Sequence, residues 1–244
     1  FSQRIENWER GQPDRREVSP QRMHRRLRDF RAGVLMQTLF RDGAAGLMHS
    51  LIYFPFMVLF AVTVVLETNH QMPENLKFLH GTVYQGHALV AEVAGVLFLA
   101  GVVWALVRRY VQRPYRIRTK SRPEHGLILA NFLLLGVTGF LVEGLRIAMV
   151  GRPDFEKWSV VGYAIAPVFE TMGNQEAWHQ VLWSVHFFGF ALLLILLPTT
   201  MLRHMFTSPL NMYLRDRDRP KGAMKPMPNL METELETFGA NLVS

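Results

Sequence analysis

Four stretches of this chain stay apolar for about the thickness of a bilayer, and they leave it few ways to fold. They are Leu47–Leu66, Ala88–Val107, Leu127–Val142 with an extension towards Val150, and Val181–Leu202. About 20 apolar residues wound at roughly 1.5 Å per residue cross some 30 Å of hydrocarbon, and a helix satisfies its own backbone groups there. The expectation is an all-α integral membrane four-helix bundle. The mean hydropathy of +0.08 conceals this, because polar residues are gathered between the apolar runs.

Charge sets the orientation. Of 27 Lys and Arg, ten precede the first span, seven lie from Arg108 to Arg122 and six from Arg203 to Lys225. The other two loops carry only Lys77, Arg152 and Lys157. By the positive-inside rule both ends and the middle loop are cytoplasmic. The net charge of +7 then records topology. The rival reading, nucleic-acid binding by the Arg-rich ends, does not explain why the basic residues follow the ends of the spans.

Residues 1–45 read as a cytoplasmic segment, 46–204 as the membrane domain and 205–244 as a cytoplasmic tail rich in Pro and Met. Within the first, residues 20–42 form an expected basic amphipathic helix. It lies on phospholipid headgroups or packs on a soluble partner. Residues 151–178 form the longest outer loop, with room for a short helix. Cysteine is absent, which excludes disulfides, thiolate zinc sites and cysteine-ligated iron–sulfur clusters within this chain.

The histidines carry the chemistry. His186 and His204 stand 18 residues apart, which is five whole turns of one continuous helix and roughly 27 Å of rise. One helix would thus present an imidazole near each membrane face, and imidazole is a good axial ligand for haem iron. His49 lies near the inner end of the first span, level with His204, so these two form an expected bis-histidine site. His87 stands 21 residues outward from Arg108, roughly 31 Å, near the level of His186. His87 is the favoured partner of His186, with His70 and His80 as alternatives and a five-coordinate site or none as another. His80 and His179 each lie seven residues further out, within about 20° of the same helix face. Zinc is a poor competitor, since no compact His pair with a nearby carboxylate occurs.

Ionisable groups inside spans point to function. Glu92 sits in the second span. Glu143 and Arg146 sit three apart on one face of the third, where they pair structurally or serve proton chemistry. Glu143 and Glu92 are the candidates for proton handling near a quinone. Arg146 is a candidate partner for haem propionates at the outer site, with Arg203, Arg108 and Arg109 at the inner one. Gly95, Gly101, Gly136 and Gly139 would let a helix or a flat ring approach closely.

Three segments carry a resemblance: MHSLIYFPFMVLF, TGFLVEGLRIA and SVHFFGFALLLILLPTTMLRHMFTSPLNMYLR. The chain resembles the haem b membrane domain of the nitrate reductase gamma-subunit type, in the form fused to heterodisulfide-reductase-like iron–sulfur proteins. The resemblance implies a cytochrome b-type fold in a bacterial inner membrane. It implies that His49 and His204 ligate the inner haem and His186 the outer one. In the nitrate reductase form a fourth ligand lies ten residues beyond the first, and here that position is Leu59, which turns attention to His87. One further helix ahead of Phe1 and cysteine motifs beyond Ser244 are expected in the longer form.

The function implied is an oxidoreductase that passes electrons across the membrane. They arrive from electron transfer flavoprotein, fed by acyl-CoA dehydrogenation, through an iron–sulfur domain or subunit. They leave to menaquinone. The alternatives are a quinol-oxidising subunit of a nitrate- or heterodisulfide-reductase-like complex, and a non-catalytic membrane anchor. A transporter ranks below these, since no broken-helix repeat is visible.

Overall fold

A computed structural model describes residues 19–37, 39–115 and 122–215. The expected irregular segment 1–18, part of the middle loop and the tail beyond residue 215 lie outside the described residues. Those described are helical, with no strand among them, and they form two units. One comprises the transmembrane helices, Met36–Arg203; in the other, residues 19–35 join residues 204–215.

The first unit is built on four long helices: α2 (Gly43–Gln71), α3 (Gly81–Leu106), α4 (Pro123–Met149) and α6 (Gln175–Thr199). Each is long and apolar enough to cross a membrane, α3 with its continuation to Gln112. The four expected spans are therefore present within longer helices, except that the fourth ends at Thr199 and not at Leu202. Asp42 starts α2 by accepting from the Ala45 amide at 3.2 Å, and Arg108 lies 3.7 Å from the same carboxylate. Helix α3 runs into a π-helical turn over Val107–Gln112 and stops at Arg113, whose φ of 45° is left-handed. A box of reciprocal bonds between Arg122 and His125 opens α4. That places His125 in a helix cap.

The helices pack in the order α2, α3, α4, α6, and a short α5 (Val160–Glu170) leans on α4. This α5 is the helix for which the outer loop has room. Phe56, Phe98 and Phe132 form an aromatic cluster across α2, α3 and α4, with centroids 5.5–6.3 Å apart. Leu145, Ile147, Ala148, Ala166 and Phe169 make a second core between α4 and α5. Outside these cores the spans expose Val64, Val65, Leu66, Val93, Val96 and Leu194. Only 6% of the most apolar stretch of α2 is buried, which in water would be a large unmet cost and in lipid is none.

The four glycines picked from the sequence are filled by the chain itself. At Gly101 an added Cβ would stand 2.8 Å from the carbonyl carbon of Leu51, so the backbones of α2 and α3 meet there. Gly95 receives the ring of Phe140 and Gly136 the side chain of Leu99. Backbone cannot retreat as a side-chain tip can. Gly101→Val should therefore part the two helices and lower the thermal unfolding temperature in detergent by well over the change from Gly139→Val, where the nearest atom is 3.6 Å away.

The second unit pairs α1 (Pro20–Val34) with α7 (His204–Leu214). Ser19 caps α1, accepting from the Arg22 amide at 3.3 Å. Tyr213 meets the edge of Phe30 at 6.4 Å, lies under Arg26 at 5.7 Å and reaches the sulfur of Met23 at 3.3 Å.

Two expectations need correction here. The amphipathic helix does not extend over 20–42. It ends at Val34, because Met36 adopts a left-handed φ of 52° that stops it, and Leu39–Arg41 form a separate 3-10 turn. Nor do His186 and His204 share one helix. Helix α6 ends at Thr199, and His204 is the first residue of α7. Pro198 lacks an amide, Thr199 and Thr200 turn their hydroxyls back to Ile195 and Leu196 at 2.6 Å, and Thr200 is extended. These two rings are therefore not related by five turns of one helix.

Candidate redox site in the transmembrane unit

His186 projects from α6 onto α4. Its Nδ1 lies 2.9 Å from the hydroxyl oxygen of Thr138, and its Cε1 packs beside Gly139. One turn along, the Asn131 amide donates to the Gly189 carbonyl at 3.2 Å, and these two bonds tie α4 to α6 inside the apolar layer. The Oδ1 of the same Asn131 is buried and has no hydrogen-bond partner among the described residues.

His87 projects from α3 onto α2. Its Nε2 lies 3.0 Å from the carbonyl oxygen of Val62, which only accepts, so this nitrogen carries the proton. The structure thus turns His87 and His186 to different neighbours, α2 and α4, and does not bring them into contact with each other. Each ring is nevertheless held by one nitrogen.

The remaining histidines differ in setting. His49 lies in the second turn of α2, and His204 opens α7 in the other unit. His70 and His80 are exposed at the end of α2 and just before α3. His179 lines a shallow cleft with Gln180, Trp183 and Ser184. His24 is exposed on α1, and Arg203 is exposed in the 3-10 turn after α6. Among the described residues, no three His, Cys, Asp or Glu converge as a cage for a bare metal ion. Axial ligation of a porphyrin asks for less, one or two imidazoles.

The start of α3 and the end of α4 hold a charged cluster. Arg146 donates to both carboxylate oxygens of Glu156, at 2.6 and 3.1 Å, and to the Tyr84 hydroxyl at 3.1 Å. Tyr84 in turn donates to Glu156 at 2.9 Å. Glu156 is 2% exposed. The partner of Arg146 is therefore Glu156 from the outer loop, not Glu143 three residues away on its own helix. The fork of a guanidinium meets a carboxylate best side-on, and Glu156 arrives from that side. This occupied fork is also what Arg146 would have to share with a propionate.

Glu92 is buried, and its two oxygens accept from the Val161 and Gly162 amides at 2.9 and 3.1 Å. It caps the N-terminus of α5, where free amides and the helix dipole favour a negative charge. Glu143 lies beside Glu92, Ser159 and Arg146 and presses on Gly162. Of the two carboxyls, Glu143 is the one without backbone donors among the described residues. Tyr84, Glu156 and Thr138 escaped the sequence reading. Glu156 sits in a 3-10 turn with no periodicity, and its one signal was that Arg146, inside a span, needed a carboxylate.

Comparison with known proteins agrees with this architecture. The family profile described as nitrate reductase gamma subunit matches residues 44–219. The EtfAB:quinone oxidoreductase of Syntrophomonas wolfei is 33% identical over 82% of this chain and 28% of its own length. The probable iron–sulfur-binding oxidoreductase FadF of Bacillus subtilis is 24% identical over 93% of this chain and 32% of its own. A component of the dihydromethanophenazine:CoB–CoM heterodisulfide reductase of Methanosarcina thermophila is 27% identical over 45% of this chain and 42% of its own. The chain spans well under half the length of these relatives, and no solved structure matches it.

Proposed function

The chain belongs to the nitrate reductase gamma-subunit family, and from that premise we propose that it conducts electrons through haem b between an iron–sulfur and flavoprotein module and a membrane quinone. The resemblance read from the sequence is the one the family match bears out, and the chain is a multi-pass membrane protein of an oxidoreductase system.

The observation that carries the proposal is the pair of imidazoles held inside spans. His186 has Nδ1 against a hydroxyl, and His87 has Nε2 against a carbonyl. A metal-ligating histidine characteristically spends its second nitrogen on such a neighbour, so the donor set fits haem iron. His186 and His87 would hold the outer haem, and His49 and His204 are each proposed as haem ligands. Haem bound there supplies one-electron transfer. Arg203 and Arg108 offer positive charge for inner propionates, and Arg146 does so for outer ones while keeping Glu156. Glu143 handles protons for the quinone, since reduction to quinol takes up two of them, and Glu92 keeps α5 in place beside it.

The likeness to an EtfAB:quinone oxidoreductase supports electron transfer flavoprotein as donor and a quinone as acceptor, and menaquinone is the quinone we propose. The reverse direction, quinol oxidation, uses the same ligands, and the likeness to a component of a dihydromethanophenazine-oxidising heterodisulfide reductase supports electron flow out of a reduced carrier. The module that receives or delivers electrons sits on the cytoplasmic face of a bacterial inner membrane, where the basic loops and ends gather.

A reduced-minus-oxidised visible spectrum of the purified protein, with haem stoichiometry by pyridine haemochrome, tests this. Sharp haem b bands with about two haems per chain are expected. His204→Ala should remove one haem and leave the other. A colourless protein would leave only a membrane anchor.

A further inference from the structure

We propose that Thr138 is a positioning residue for His186: its hydroxyl fixes the ring in the tautomer with the proton on Nδ1, leaving a bare Nε2 for iron. The inference rests on the reading of His186 as a haem ligand and goes beyond it.

The argument is a count of protons. The Thr138 oxygen lies 2.7 Å from the Leu134 carbonyl and 2.9 Å from His186 Nδ1. A hydroxyl has one proton to give, and a carbonyl has none. If that proton pointed at Nδ1, two oxygens would face each other at 2.7 Å with lone pairs only. The hydroxyl therefore donates back along its own helix to Leu134, a common bond for threonine within a helix. Its lone pair is left for His186, so Nδ1 must bring the proton.

The site is built to hold this arrangement. Thr138 is 6% exposed, and no water need compete for the bond. Beta-branching limits its rotamers, and the bond to Leu134 holds one of them. The ring itself is steadied beside Gly139. Among the described residues Nε2 of His186 has no hydrogen-bond partner. An Nδ1–H bond to an acceptor also makes Nε2 a better electron donor. His87 does the same job differently, with a backbone carbonyl that no substitution can remove. Only one ligand of the chain should therefore answer to a change at position 138.

The test compares Thr138→Val, which keeps the shape without the hydroxyl, with Thr138→Ser, which keeps the hydroxyl. Both are purified as full-length protein in detergent. Potentiometric titration of the haem bands and resonance Raman of the iron–imidazole stretch are recorded. Thr138→Val should raise the potential of one haem alone and weaken its iron–imidazole band. Affinity for that haem should fall by about 10–100-fold. Thr138→Ser should behave as the unaltered protein. If Thr138→Val leaves both potentials and the band unchanged, or if Ser is as damaging as Val, the inference is overturned. His186→Ala separates the two ideas. If that variant keeps every haem, the ligand reading itself has failed. If it loses one while Thr138→Val is silent, only the role of Thr138 has.

Discussion

His186→Ala is expected to cost the protein one haem and all electron flow to quinone. The change deletes the one imidazole that α6 sends into the α4 interface. Its structural cost is small by comparison, since an interhelical hydrogen bond in a membrane averages about 0.6 kcal/mol. The helices should therefore stay assembled, and circular dichroism should be unaltered. Pyridine haemochrome would fall to about half, and quinone reduction followed by stopped flow would drop to background. An unchanged spectrum would remove His186 from the ligand set. It would also leave the Thr138–His186 bond as simple helix packing.

Arg146→Leu is expected to be the most destabilising single change in the charged cluster of Arg146, Glu156 and Tyr84. It strips Glu156 of both guanidinium bonds and leaves a carboxylate that is 2% exposed with only Tyr84 as donor among the described residues. Breaking a buried pair from one side typically costs about 3–5 kcal/mol. Glu156→Leu should cost less, because the Arg146 side chain is 40% exposed and can turn to water or headgroups. The double replacement should recover much of the loss, as two apolar groups need no partner. Thermal unfolding of the four proteins in detergent closes this cycle. Equal losses from the two single changes, with no recovery in the double, would contradict the asymmetry read from their exposure.

The spans were legible because a bilayer demands length and apolarity from any segment that crosses it, and both can be read along the chain. The break after Thr199 was legible in part. Pro198, Thr199 and Thr200 stand together in the sequence, but a proline alone does not stop a membrane helix. Pro55 sits within α2, and that helix continues. The hydroxyls that turn back to Ile195 and Leu196 complete the stop. Partner choice was least legible. Spacing on one helix suggested Glu143 for Arg146, and the structure brings Glu156 from a turn instead. The acceptor for His87 is a backbone carbonyl, which every residue has, so no residue type could announce it. Thr138 and His186 lie 48 residues apart, and nothing in either segment marks the other.

The grip of Glu92 on α5 has a bearing on how this part of the chain can drift over generations. Both of its contacts are to main-chain amides, which survive any replacement except proline at Val161 or Gly162. The opening of that helix is thus free to wander in composition, with one exception. A methyl group at position 162 would stand 2.8 Å from the Cγ of Glu143. Lineages that retain both acids should accordingly vary their residue 161 and keep glycine next to it.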